Sequence, residues 1–341
     1  MNRNDVLIAG HHCGNLSESA GFEQVATLLP FDYIDANQFW FANSEFGTIP
    51  KKLNLLTYEA ALRLRGSRYQ LIHFLLPEVH LTFSLPSSSK IVKVGTVHLP
   101  LDVFKEQNLN KHGYVMKLRK NAFDRLDSII TLTRSNEGEI RELFPQADVK
   151  FIPHGVYDFS SFFLSQAPAE EDVLNIITVG TNFRDLEMYK ALASYAKAEG
   201  RKWKFHLLGA SKWRPFLIGL ENVKIYPYLN EKTYLTLLSQ CDIHLLPLTF
   251  ATANNALLEA HSVGVPSIVS KLDSVKDYSL STTSFFEDIH SLIESISAFE
   301  SYNQSTRLKL KKTTLEEAKK FHWAEIASSL ESYYQQLLDS I

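Results

Sequence analysis

An α/β fold in two domains, each built on a parallel sheet, is what the sequence predicts, and three observations predict it. The chain has 341 residues, a length that suggests two domains, and 45% of them are hydrophobic, ample for two cores. Short apolar runs of the kind that fill a sheet covered on both faces recur along the chain, with helical stretches between them. The alternation is interrupted at residues 160–172, a segment rich in Ser, Ala, Pro and Glu that has the composition of a domain boundary.

Composition removes several function classes. A formal net charge of -3 gives no reason to expect nucleic acid as a partner. Cys13 and Cys241 lie far apart without metal-ligand spacing, so a disulfide framework is not expected and a reducing cytoplasm fits. Residues 1–5 lead straight into a short apolar strand rather than a signal peptide. No run approaches the roughly 18 apolar residues that span a bilayer. No repeat of fixed period appears, and the longest low-complexity tract is Ser87-Ser-Ser. The expectation is a soluble, cytoplasmic α/β protein.

In the first half, residues 5–10 read as a buried strand, followed by a polar loop to Gly21 and a helix over 22–29. Small residues at such a turn let a ligand approach the backbone, although the spacing is not that of a dinucleotide fingerprint. His11 and His12 have no Cys or carboxylate at a ligand spacing, so no metal is expected there. Strands follow at 31–34 and 71–75 with a helical stretch at 55–65 between them, and the aromatic, irregular segment 38–52 reads as packing under a long loop or, less favoured, as an acceptor-binding loop. Residues 91–100 form a strand that ends in Thr96-Val-His98 before Pro100, which places His98 at a carboxyl end facing the crevice. Lys105, Lys111, His112, Lys117, Arg119 and Lys120 interleave with apolar residues over 105–123. They describe a solvated helix face, or a basic surface for anionic lipid. A strand at 128–135 and a helix at 136–144 complete this half.

The second half restarts with a strand at 174–180. The turn Thr181-Asn-Phe-Arg-Asp185 opens a helix that runs to about Gly200, and Arg184 is the turn's cation for a diphosphate. Strands at 203–209 and 223–229 and a helix at 231–240 lead to a buried strand at 243–248. A polar loop at 249–255 and a helix at 256–263 come next, stopped by Gly264 and Pro266 before a strand at 267–270. Glu259 is the one carboxylate on that otherwise apolar helix. Trp323, Ile326, Ala327, Leu330, Tyr334, Leu337 and Leu338 recur at helical spacing at the end of the chain.

Asn254-Asn-Ala-Leu-Leu-Glu-Ala260 followed by Gly264-Val-Pro266 resembles the donor-binding segment of GT-B glycosyltransferases, particularly the retaining GT4-like families. Thr96-Val-His98, His154-Gly-Val-Tyr-Asp158 and Phe321-His-Trp323 are similar to further segments of the same families. The resemblance implies two Rossmann-like domains facing a central cleft, at 1–160 and 173–320, with a C-terminal helix at 321–341 crossing back to the first. It implies that Glu259 holds the nucleotide ribose and that Thr252, Asn254 and Asn255 meet the diphosphate and sugar. Tyr228 and Leu229 would border the base, Thr181 and Arg184 the phosphates, and Gly21 would face them. His98 would contact the donor sugar, with Asp102 as an orienting or acceptor-binding neighbour. The family pattern has a second Glu eight positions before Glu259, where this chain has Ala251, with Asn254 and Asn255 as substitutes.

The implied activity is transfer of a sugar from a nucleoside-diphosphate sugar, without cofactor or metal and with retention. The implied acceptor is a glycan or lipid-linked saccharide of the bacterial envelope, reached through peripheral membrane contact by the 105–120 region at the inner face. The alternatives are a non-catalytic GT-B subunit, favoured by Ala251, and a nucleotide-sugar epimerase.

Overall fold

The computed structural model describes residues 2–3, 5–10, 19, 21–38, 48–82, 90–98, 101–105, 108, 114–163 and 173–340. The chain separates into two compact units. One contains residues 1–16, 20–155 and the chain from Trp323 onward, and the other contains residues 17–19 and 156–322.

The first unit is a parallel sheet of β1 (Val6–Gly10), β2 (Asp32–Asp35), β3 (Leu71–Phe74), β4 (Val92–Val97), β5 (Ser128–Thr131) and β6 (Asp148–Phe151), in the order β2-β1-β3-β4-β5-β6. Every residue of β1, β3, β4 and β5 is buried, as expected of strands covered on both faces, whereas edge strand β6 is partly exposed. Helices α1 (Thr48–Gly66), α2 (Tyr114–Phe123) and α3 (Glu137–Leu143) lie in the connections. The long α1 corrects the sequence reading at 38–52, because Thr48 to Lys52 are helical. Pro50 falls in its first turn, where proline's missing N–H has no intrahelical acceptor to lose. Residues 39–47 of that aromatic segment lie outside the described residues, as do His11 and His12.

The second unit carries β7 (Leu174–Val179), α4 (Leu186–Ala198), β8 (Trp203–Leu208), β9 (Val223–Tyr226), α5 (Glu231–Gln240), β10 (Ile243–Leu246), α6 (Asn255–Ser262), β11 (Ser267–Ser270) and β12 (Ser284–Phe286). Two further helices follow, α7 (Ile289–Glu300) and α8 (Gln304–Ala318). All six strands run parallel in the order β12-β11-β10-β7-β8-β9. The chain builds outward from β7 through β8 and β9, then returns to β7's other side with β10. The carboxyl ends of β7 and β10 therefore flank the point where strand order reverses, the position at which open α/β sheets bind ligands. Gly264 ends α6 at φ +79°, and a Cβ there would meet Phe163 and the Lys311 carbonyl, so both shape and torsion require glycine.

Strand β12 and the two helices after it escaped the sequence reading. Helix α7 buries Leu292, Ile296 and Phe299 and opens with a reciprocal capping box between Asp288 and Ser291. Helix α8 shows no apolar stripe because its buried positions are Lys311, Thr314 and Ala318. The Lys311 ammonium spans the gap to α5 and donates to the Cys241 carbonyl at 2.7 Å and, more weakly, to that of Ser239 at 3.4 Å. A cation there complements the negative end of α5.

The C-terminal helix α9 (Trp323–Asp339) belongs to the first unit and buries Trp323, Ile326, Ala327, Leu330, Tyr333 and Tyr334. The Tyr334 hydroxyl meets His73 Nδ1 at 2.5 Å, and the Tyr333 hydroxyl donates to Asp148 at 2.8 Å and lies 2.7 Å from Ser128 Oγ. A Cβ on Gly155 would fall 2.2 Å from the Trp323 ring, so glycine lets the indole close over the backbone.

Candidate functional site

The turn after β7 and the loop after β10 are laced together by main-chain bonds. The Asp185 N–H donates to the Pro247 carbonyl at 2.7 Å and the Thr249 N–H to that of Phe183 at 2.9 Å, with Arg184 bridging antiparallel to Leu248. Gly180 takes φ +75° and Phe183 takes φ +56°, the one non-glycine residue with positive φ among the described residues. The exposed Phe183 ring packs edge-on against Phe250, with centroids 5.2 Å apart.

Within this turn Arg184 and Asp185 part company. Asp185 caps α4 by accepting the Met188 N–H at 2.9 Å. The Arg184 guanidinium instead donates to the Asn182 and Val179 carbonyls at 2.8 and 3.0 Å, and its Nε is buried without a partner. Burial lowers its pKa to about 10, so it stays charged at neutral pH, and no carboxylate among the described residues binds it. Thr181, half-buried, sits in the same turn.

Glu259 is buried on α6, and its Oε2 accepts the hydroxyl of Tyr234, which projects from α5, at 2.5 Å. Burial raises the Glu259 pKa to about 7, the Tyr234 hydrogen bond pulls it back down, and Glu231 adds to the rise. Tyr234 is pushed well above the usual phenol range, first by burial and then by Glu259, while the Arg184 charge opposes that rise. Arg184, Tyr234 and Glu259 thus form one electrostatic cluster beside the sheet's switch point. Sequence reasoning supplied the first and last of these and missed the tyrosine, whose ring suits the core.

The neighbouring positions sort by burial. Asn254 is the N-cap of α6, and its side chain accepts the Leu257 N–H at 3.2 Å. The N–H groups of Asn255 and Ala256 at the helix start have no intrahelical acceptor. Asn254's oxygen is thereby committed to the cap, which leaves its amide N–H₂ for a ligand. Ala251 is buried in the hydrophobic core with Leu248 and Leu257, so the position where the resemblance places a Glu faces apolar side chains. Thr252 is half-buried, Tyr228 is exposed and Leu229 is partly buried just before α5. Nearby, a cavity of about 420 Å³ is lined by Asp185, Leu248, Ser270, Lys271, Asp273 and Glu287 among others. Its lysines are already paired, Lys271 with Glu287 and Lys276 with Asp273.

In the first unit, His98 follows β4. Its Nε2 lies 2.7 Å from the Leu75 carbonyl, so this nitrogen carries the proton. Burial, then the charge of His154, lowers its pKa to about 3, and the ring is neutral at pH 7. The His98 main-chain N–H donates to the carboxylate of Glu78, a buried residue. Asp102, the expected neighbour, instead binds Lys105 at 2.6 Å. Phe22 packs edge-on against His98, His154 and Trp323, His154 tilts against Trp323, and Gly21 precedes Phe22 at φ +109°.

The basic residues of 105–120 are largely engaged internally. Lys105 holds Asp102 and Glu139, Arg119 donates to the Val79 carbonyl at 3.1 Å, and Lys120 pairs with Asp124. Lys111 and His112 lie outside the described residues. Among the described residues no helix is long and apolar enough to cross a membrane, and no three His, Cys, Asp or Glu side chains gather as metal ligands.

Residues 176–299 match the family described as glycosyl transferases group 1. No curated protein sequence matches the chain. Among solved structures, a sucrose-phosphate synthase from Thermosynechococcus elongatus is similar at 17% identity and a TM-score of 0.68, over 98% of this chain and 89% of that one. WaaG, a glycosyltransferase involved in lipopolysaccharide biosynthesis, is similar at 14% identity and a TM-score of 0.62, over 95% and 98%. The N-terminal domain of a Candida albicans trehalose-6-phosphate phosphatase is similar at 12% identity and a TM-score of 0.65, over 98% and 97%. At these identities the likeness is one of fold.

Proposed function

Taking as premise that residues 176–299 form a group 1 glycosyltransferase domain in a chain of GT-B fold, we propose that the protein moves a sugar from a nucleoside-diphosphate sugar to a hydroxyl acceptor. The observation that carries this reading is the switch-point cluster. It sets a half-buried guanidinium, with no carboxylate partner among the described residues, beside a buried carboxylate, with the start of α6 in the neighbouring loop.

An anionic diphosphate matches Arg184 and the first-turn amides of α6, and a ribose diol matches Glu259. Tyr228 and Leu229 border the base, Thr181 and Thr252 add hydroxyls, and Asn254 and Asn255 meet the donor sugar. In the reaction the bond from the anomeric carbon to the diphosphate oxygen breaks, and its electron pair leaves with the nucleoside diphosphate. The acceptor oxygen bonds to that carbon on the same face, and its proton passes to the departing diphosphate. Arg184 and the α6 amides stabilise the charge that develops on the leaving group, so the proposal needs neither cofactor nor metal. His98 and Gly21, from the first unit, are carried by resemblance as the donor-sugar and diphosphate contacts. A neutral His98 that already donates through Nε2 suits hydrogen bonding to a sugar better than proton transfer.

Retention rests on the GT4-like resemblance alone, and an envelope saccharide as acceptor on that resemblance and on the likeness to WaaG. The pairing of Lys105, Arg119 and Lys120 leaves less free positive charge for anionic lipid than the sequence implied. A second reading, a non-catalytic GT-B unit, is favoured by Ala251, which puts a methyl group where the family pattern has a carboxylate. A phosphatase domain shares the fold, which by itself does not certify transfer. Release of nucleoside diphosphate from a panel of nucleotide sugars in the presence of saccharide acceptors decides between them. Turnover that Arg184→Ala abolishes supports transfer, and binding without turnover across the panel supports the non-catalytic reading.

A further inference from the structure

Tyr234 is given no contact with substrate in the reading above, yet among the described residues it makes the one side-chain hydrogen bond to Glu259. Its ring is buried on α5 and its hydroxyl donates to Oε2, one oxygen of the carboxylate. A Glu side chain on a helix has three rotatable bonds, and in an open site its carboxylate samples several planes. A hydrogen bond to one oxygen fixes the plane and presents the other, Oε1, in a single direction. A carboxylate has about four acceptor positions, so the tyrosine occupies one and leaves enough for two sugar hydroxyls.

The ionisation state matters as much as the direction. An ionised carboxylate only accepts, and so takes both O–H groups of a vicinal diol. A protonated one spends an oxygen as a donor and loses that match. Every charged neighbour of Glu259 on the elements around it bears on this balance. Glu231 on α5 disfavours the charge, and Tyr234 favours it through its hydrogen bond. Arg184 acts on the pair through Tyr234.

We propose that Tyr234 is a positioning residue for Glu259, and that the pair makes this site select a ribonucleoside over a 2′-deoxyribonucleoside. The inference rests on the reading that Glu259 holds the nucleotide sugar's ribose. It goes beyond that reading by assigning the selectivity to a tyrosine that touches no substrate.

The test is calorimetric binding of UDP and 2′-deoxy-UDP, with the adenine, guanine and cytosine pairs run alongside, to the full chain and to Tyr234→Phe, Tyr234→Leu and Glu259→Ala. The wild-type protein is expected to prefer the ribonucleotide about tenfold or more, the effect of one hydrogen bond to a charged acceptor. Tyr234→Phe is expected to bring the ratio near one. It should also move the pH at which ribonucleotide affinity declines upward, because the hydrogen bond that favours the ionised carboxyl is gone. Tyr234→Leu serves the same purpose if the Phe variant does not fold. A purely structural tyrosine would lower the melting midpoint and leave the ribo-to-deoxy ratio intact, and that result overturns the proposal. If Glu259→Ala also keeps the wild-type ratio, the underlying ribose assignment falls. If Glu259→Ala loses the ratio and both Tyr234 variants keep it, this inference alone falls.

Discussion

Glu259→Gln offers the sharpest physical perturbation, because it removes an ionisation while preserving shape and a carbonyl oxygen that still accepts from Tyr234. An ordinary glutamate titrates at 4.5, and burial brings Glu259 to about 7. At about 1.4 kcal/mol per tenfold, ionising this carboxyl inside the fold costs about 3 kcal/mol. The sign follows from proton counting. Below pH 4.5 both the folded and unfolded chains are protonated here, and the folded state carries no penalty. Between 4.5 and about 7 the unfolded chain releases its proton and the folded one keeps it, so stability falls as pH rises. Above about 7 the whole penalty is present. Glutamine does not titrate, and every other group cancels in the comparison. The variant should therefore exceed the wild type by about 1 kcal/mol at pH 5 and by about 3 kcal/mol at pH 8, the latter a rise in melting midpoint of roughly 6–12 °C for a unit this size. Melting midpoints of the two proteins at half-unit steps from pH 5 to 8 measure it. A difference that stays flat across that range would refute the burial argument. The same variant should bind nucleotide more weakly, the trade expected where a strained charge serves a ligand.

Three further outcomes follow from the geometry. Phe183→Gly should melt higher than Phe183→Ala, by about 1 kcal/mol, because both lose the ring and only glycine accepts φ +56° without strain; equal midpoints would show that the turn carries no strain there. Tyr334→Phe should cost about 1–3 kcal/mol, since it leaves the buried His73 Nδ1 without the hydroxyl it now meets, and denaturation followed by near-ultraviolet dichroism would register it. Lys311→Met should lower the second unit's unfolding midpoint by a similar about 1–3 kcal/mol, because the Cys241 carbonyl at the end of α5 loses its buried cap; an unchanged midpoint would show that the carbonyl is satisfied otherwise.

The sheet strands were legible because burial on both faces leaves an apolar run that few other structures require. β11 and α5 fall at the predicted bounds, and β1, β7 and β10 differ only at their ends. Helix α8 was illegible for the opposite reason. Its buried positions are Lys311, Thr314 and Ala318, and the lysine is inside because another helix needed capping, a fact no periodicity contains. Helix α7 did carry a readable signal, Asp288 three residues before Ser291 and apolar residues at 292, 296 and 299, which went unassigned. At the site, Arg184 stood out as the one cation of its turn and Glu259 as the one carboxylate on an apolar helix. Tyr234 did not, because its ring suits the core and only its hydroxyl belongs to the site. Glu78 was hidden similarly: its bond to the His98 backbone joins residues twenty positions apart that meet only because β3 and β4 are sheet neighbours.

The central claim is that the carboxyl ends of β7 and β10 hold a nucleoside diphosphate between Arg184 and Glu259. Thermal shift with UDP, GDP, ADP, CDP and TDP, each far above a micromolar Kd, tests it most directly, since a ligand that binds only the folded state raises the midpoint by mass action. The account predicts a rise with at least one of the five, abolished in Arg184→Ala and reduced in Glu259→Ala. No rise with any nucleotide, or a rise that both variants retain, would contradict it.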